Sequence, residues 1–297
     1  MPESAPLRRE TRSVFTNRFM LGCWIVLLLA TLFTNREIWG DIYAIASVDE
    51  EQSHILLVAI VAPWMAWVRR SRLRNLVPTG TLFGPVIIAI GWGMSYYGFH
   101  YSAQSAWHAG AVVCLVGVIV AGFGVNTLLR LFPAFAVLIF LIPVPGTIRQ
   151  FISGPLQTAT AFSTQAVLET LGVPIERSGN LLSINGRDVA VAEACNGMRM
   201  VLALVLVSYA FAFSMPLKNY ARALVLIGSP IAALLCNVIR LVPTVLLYGY
   251  APTQYADSFH DISGWLMVPI AFGVLLALTS VLRWALIPVT RFTLAYQ

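Results

Sequence analysis

The sequence predicts an all-α polytopic membrane protein of about eight transmembrane helices. One amphipathic helix at the outer face and a short β-hairpin lie between the fifth and sixth spans. Three observations predict it. Residues of the set AVILMFWYC make up 58% of the 297-residue chain. Only 11% are charged, against about 25% in a soluble domain, so there is too little polar surface for water. The apolar residues also gather in runs that suit a hydrocarbon core roughly 30 Å thick.

The runs are Phe19–Phe33, His54–Val68, Leu82–Gly98, Trp107–Val125, Leu131–Pro145, Met198–Phe213, Ala221–Tyr248 and Ser263–Leu286. The second and fifth are short and need tilt or borrowed flanking residues. The first follows Arg8, Arg9, Arg12 and Arg18 as a signal peptide would, but no small-residue cleavage site follows it, so it reads as a retained anchor. Most of the 19 basic residues, including Arg69, Arg70, Arg72, Arg74, Arg130, Lys218 and Arg222, fall on the side of the N-terminus, where only Glu3 and Glu10 among the acids join them. That asymmetry places both termini in the cytoplasm. Residues 1–297 then form one integral membrane domain, with 1–18 a cytoplasmic segment and 146–194 an external interfacial one.

The external segment has two halves. Ile148, Phe151, Ile152, Leu156, Ala159, Phe162, Val167 and Leu171 recur at helical spacing, with polar residues between, as in a helix lying on the outer leaflet. Gly154-Pro155 is expected to kink or split it. Residues 180–192 read as two short strands joined by Asn185-Gly186, a strong two-residue hairpin signal.

Some chemistries are excluded early. The net charge of +6 is scattered around apolar runs with no basic stripe or recognition helix, so nucleic acid is not a partner. Four cysteines without paired spacing give neither a disulfide scaffold nor a CxxC motif. There is no metal-ligand spacing and no glycine-rich phosphate loop, so no cofactor is expected.

Three polar residues remain, from three separate regions. Arg240 lies within the seventh run, about 28 Å from its cytoplasmic start at 1.5 Å per residue, and Asn237 shares its helix face. Cys195, followed by Asn196, stands where the hairpin meets the sixth run. A helix N-terminus there favours the thiolate, and Arg199, four residues on, adds to it. His260 stands just before the eighth run. A nucleophile, a base and an oxyanion-stabilising cation at one depth are the parts that acyl transfer from a peptide carbonyl requires. Each residue also has a plainer role: Cys195 in packing, Arg240 as a snorkelling or lipid-binding cation, His260 with Asp261 as a solvated pair. His54, after Asp49-Glu50-Glu51 at the outer face, either joins the site or is satisfied by those acids. Cys236, on the face of Arg240, lacks a helix N-terminus to activate it. His100 and His108 sit with Tyr96, Tyr97, Tyr101 and Trp107 in what reads as an aromatic interfacial belt.

At Ala194-Cys195-Asn196-Gly197-Met198-Arg199, Asn237-Val-Ile-Arg240 and His260-Asp-Ile-Ser-Gly264-Trp265, the sequence resembles the exosortase/archaeosortase family of membrane cysteine transpeptidases. Weaker likeness lies at Ser53-His54-Ile-Leu and at Phe132-Pro133 through Ile142-Pro143-Val-Pro145. The resemblance implies a bacterial inner-membrane enzyme whose site faces the exterior. Its partners would be exported proteins ending in a short motif, a hydrophobic helix and a basic tail. It assigns Cys195 as nucleophile, Arg240 as oxyanion stabiliser or thiolate partner, and His260 as general acid or base. Arg199 or Arg187 would then pair with an acid in the motif. Asn196 departs from the serine often found there. A transporter or flippase for lipid-linked polysaccharide intermediates, gripping an anionic headgroup with Arg240 and Arg199, is the alternative from the residues alone. A non-catalytic subunit of an export complex is a third reading.

Overall fold

The apolar runs are helices in the computed structural model, which describes residues 14–73, 81–191 and 197–284. In chain order these are α1 (Val14–Thr34), α2 (Arg36–Val48), α3 (His54–Val68), α4 (Phe83–His100) and α5 (Gln104–Phe123). They continue as α6 (Val125–Arg130), α7 (Phe132–Ala136), α8 (Gly146–Thr170), α9 (Met198–Ser214), α10 (Asn219–Tyr250) and α11 (Thr253–Trp284). Strands β1 (Glu176–Ser178), β2 (Leu181–Ile184) and β3 (Arg187–Ala190) form one antiparallel sheet in that order. Among the described residues three helices are long and apolar enough to cross a bilayer: Glu50–Val68, Gln104–Phe123 and Asn219–Tyr250. The number rises to five if α1 with α2, and Phe132–Leu141 with α8, each count as one bent span.

The chain divides into two units. The first comprises Met1–Gly40 and Arg72–Phe132, the second Asp41–Ser71 and Pro133–Gln297. In the first, α4 and α5 are zipped by glycines at heptad spacing. A Cβ on Gly84 would meet the Ala121 backbone at 2.4 Å, one on Gly91 the Cys114 nitrogen at 2.7 Å, and one on Gly98 the Trp107 nitrogen at 2.2 Å. Small residues at such a seam let two backbones touch, the usual source of helix association where lipid supplies no hydrophobic drive. Ser95 Oγ, facing Gly110, donates to the Trp107 carbonyl at 3.1 Å. Trp24 of α1 donates to the Val118 carbonyl at 2.9 Å and lies against Gly122. Trp92, Tyr96, Tyr97 and Tyr101 are exposed, as a belt requires, whereas His108 is fully buried.

In the second unit α3 and α9 run in the same direction. Arg199, in the first turn of α9, pairs with Glu50 ahead of α3 at 3.2 Å. At the far ends Arg69, which caps α3, donates to the Phe213 carbonyl of α9. Arg222 of α10 donates to the Ala212 carbonyl at 3.0 Å, so two cations satisfy the C-terminal carbonyls of α9, where the helix dipole favours them.

The external segment keeps its predicted helix and hairpin, with three corrections. Helix α8 runs unbroken through Pro155, which faces outward. The sharp bend lies earlier, at 92° between Phe132–Leu141 and α8, across Ile142-Pro143-Val144-Pro145. There each proline removes a donor and forces the residue before it into extended backbone, as at Ile142 (φ −80°, ψ 116°). The fifth run is therefore a short α-helix, a 3-10 helix over Val137–Leu141 and an extended link. The hairpin holds its register through Asn185 and Gly186, both at positive φ (51° and 72°), and gains β1 as a third strand. Leu182, Ile184, Val189 and Val191 bury the sheet against Ala161 and Leu168 of α8 and Leu241 and Val245 of α10.

Candidate functional site

Helix α10 carries two of the predicted side chains to two separate glycines. Asn237 is 1% exposed, and its amide lies against Gly197, the N-cap of α9: a Cβ there would stand 3.1 Å from Asn237 Nδ2 and 3.2 Å from Leu156 Cδ2 of α8. One turn on, Arg240 is 8% exposed and its guanidinium lies over Gly264 of α11, 3.8 Å from the position of an added Cβ. Gly264 is four residues after His260, on the same helix face. The three segments picked from the sequence, around residues 197, 240 and 264, thus abut at one junction of α9, α10 and α11.

The individual residues are placed as follows. Cys195 and Asn196 lie outside the described residues, immediately before Gly197. His260 is not ahead of its helix, as expected, but inside it: α11 begins at Thr253, and Pro252 with Thr253 supplies the start that the apolar pattern concealed. His260 Nδ1 is 3.3 Å from Asp261 Oδ1, and Ser263 Oγ donates to the His260 carbonyl at 3.1 Å. A histidine anchored through Nδ1 works through Nε2.

Arg199 is drawn to Glu50. The ion pair at 3.2 Å spans from α9 to the 3-10 turn before α3. The reason is electrostatic, because a cation in the first turn of a helix opposes the dipole and needs an acid nearby. Arg149 in the first turn of α8 is in the same position, and pairs with Asp49 and with Glu51, the latter at 3.2 Å. Gln52 completes this corner by accepting from the Val144 N–H at 2.9 Å. The N-termini of α3, α8 and α9 therefore meet around one acidic run.

His54 is 1% exposed at the start of α3. Its Nδ1 is 3.3 Å from the Glu51 carbonyl, and its ring stands edge-on to Phe140 at 6.5 Å. Those contacts tie it to α3 and the 3-10 helix, not to Arg240 or His260. Arg187 caps α10, donating to the carbonyls of Tyr248 at 3.0 Å and Ala251 at 3.1 Å. Cys236 is buried among Met200, Leu204, Ala233 and Ala271. Among the described residues no cluster of three His, Cys, Asp or Glu side chains is arranged to hold a metal ion.

Sequence reasoning passed over Leu156 and Thr160, which face Gly197 and Asn237 from α8. Their spacing of four on one helix was visible, but nothing local marked which helix that face would meet.

The model of the transmembrane exosortase family matches residues 39–277. No curated protein and no solved structure matches the chain.

Proposed function

We propose a reaction for this chain, which belongs to the transmembrane exosortase family: cleavage of the C-terminal sorting signal of an exported protein by the thiol of Cys195. The substrate ends in a short motif, a hydrophobic helix that lies in the bilayer, and a basic tail. The Cys195 thiolate attacks the scissile carbonyl, and Arg240 stabilises the oxyanion. His260, as its imidazolium, gives its proton to the leaving amine, so the C–N bond breaks and a thioester remains. An acceptor amine or water then attacks the thioester, and the thiol is regenerated. Asn237 supports Gly197, two residues after Cys195 in sequence. Arg199 and Asn196, neighbours of Cys195 in sequence, are assigned supporting roles.

The observation that carries this reading is the pair of glycine contacts on α10, Asn237 on Gly197 and Arg240 on Gly264. One helix turn links a position two residues from the cysteine to a position one turn from the histidine. Electrostatics support it. Gly197 caps the N-terminus of α9, and a positive dipole end there favours a thiolate. The charge asymmetry supports an orientation with this end outside the inner membrane: Asp49, Glu50 and Glu51 lie at this end of α3, Arg69 and Arg70 at the other. In that orientation the chain crosses about eight times as one integral domain, with both termini in the cytoplasm.

The test is co-expression with a protein that carries such a tail, followed by its gel mobility. Cys195→Ala and Cys195→Ser are both expected to abolish processing. Arg240→Ala is expected to lower it about 100-fold or more, the scale of a lost oxyanion donor. A transporter would keep its activity with Cys195→Ser. Unchanged processing by Cys195→Ala excludes the thiol mechanism.

A further inference from the structure

Helix α8 touches the junction through one face only. Leu156 packs on Gly197, and four residues on, Thr160 Oγ1 accepts from Asn237 Nδ2 at 3.4 Å. Both partners are sealed from solvent, Thr160 at 0% and Asn237 at 1% exposure. A buried hydroxyl facing a buried amide ties the two helices by a polar contact. An apolar pair would fill the same space without the desolvation cost of two polar groups, and such groups persist only when paired. What the polar pair provides and an apolar one does not is direction: the hydrogen bond fixes the rotation of the Asn237 amide about its side chain. That amide is the group pressed on Gly197.

Gly197 has no side chain with which to guide the amide, whereas α8 offers it a hydrogen-bond partner in Thr160. Helix α8 itself is held at both ends. Arg149 binds Asp49 and Glu51 at its first turn. Further along, Gln157 accepts from Asn180 Nδ2 at 2.9 Å, and Gln165 accepts from Arg177 Nε at 2.9 Å. Thr160 sits between these anchors.

We propose that Thr160 is a positioning residue: through its hydrogen bond to Asn237 it sets the α9 N-terminus, and with it the Cys195 thiol. This inference rests on the cysteine mechanism proposed above. It extends the working site to α8, a helix that carries none of the reacting groups.

The experiment is a double-mutant cycle read on processing of the tail-bearing substrate, normalised to the amount of enzyme in the membrane. Thr160→Val keeps the shape and removes the hydroxyl. It is expected to slow processing about tenfold, and Thr160→Ser, which restores the hydroxyl, to stay within about twofold of the parent. In an Asn237→Ala background Thr160→Val is expected to add less than about twofold, because its effect passes through the missing amide. The rate of Cys195 alkylation by an external thiol reagent should fall with Thr160→Val and recover with Thr160→Ser. Parental processing by Thr160→Val, or a full tenfold loss retained in the Asn237→Ala background, overturns the inference and leaves the thiol mechanism standing. Processing that survives Cys195→Ala overturns both.

Discussion

Glycine does opposite jobs in the two units. Between α4 and α5, added Cβ atoms would strike backbone, at 2.4 Å on Gly84 and 2.7 Å on Gly91, so glycine there is a condition for the two helices to lie together. At the junction of α9, α10 and α11 the neighbours are polar side-chain ends, Asn237 at 3.1 Å from Gly197 and Arg240 at 3.8 Å from Gly264. Here glycine leaves a niche for an amide and a guanidinium. The first arrangement stores stability in packing. The second spends packing to admit polar groups that lipid would otherwise exclude, and such groups in a membrane chain mark function.

That contrast can be broken by substitution. The largest effect is expected from Gly91→Val in the α4–α5 seam. Backbone must move to admit the branched side chain, so folded protein should be lost, by about 3 kcal/mol, and detergent-extracted protein should elute as aggregate. A normal elution profile would show that the seam is not close-packed. Next comes Gly264→Leu, which fills the niche of the guanidinium. Processing is expected to fall nearly as far as with Arg240→Ala while folded yield stays near the parent. Equal loss of yield and activity would make Gly264 a packing residue like Gly91. Gly264→Ala is milder, because 3.8 Å is ordinary contact, and processing should stay within about threefold. Gly197→Ala should fall between the two, since Asn237 and Leu156 must each yield by a few tenths of an ångström. The smallest effect is expected from Glu50→Gln. Its carboxylate is 81% exposed, and such a pair contributes about 0.5 kcal/mol, so thermal stability should barely change, and less so in high salt.

Several features were legible in the sequence because they are local. The α3 limits follow from an unbroken apolar run, and the Asn185-Gly186 turn from two residues that tolerate positive φ. The choice of Arg240, Asn237 and His260 followed from their cost in an apolar setting. The start of α11 was hidden, because Thr253–Asp261 is too polar to look like the first turns of a span although it is helical. The kink expected at Pro155 is absent and a sharp bend stands at Pro143 and Pro145 instead, for a related reason. A proline on an exposed helix face is tolerated where neighbouring carbonyls find other partners, whereas two prolines separated by one residue are not.

Composition and periodicity alone determined that this chain is a helical membrane protein, which residues are out of place in it, and that it turns at Asn185-Gly186. These depend on side chains a few positions apart, and chain order carries them. Only the tertiary structure decided that Arg199 answers to Glu50 rather than awaiting a ligand, that Arg187 caps α10, and that Thr160 stands behind Asn237. Each of those pairs joins residues more than sixty positions apart, and no local pattern encodes which helix face will meet which.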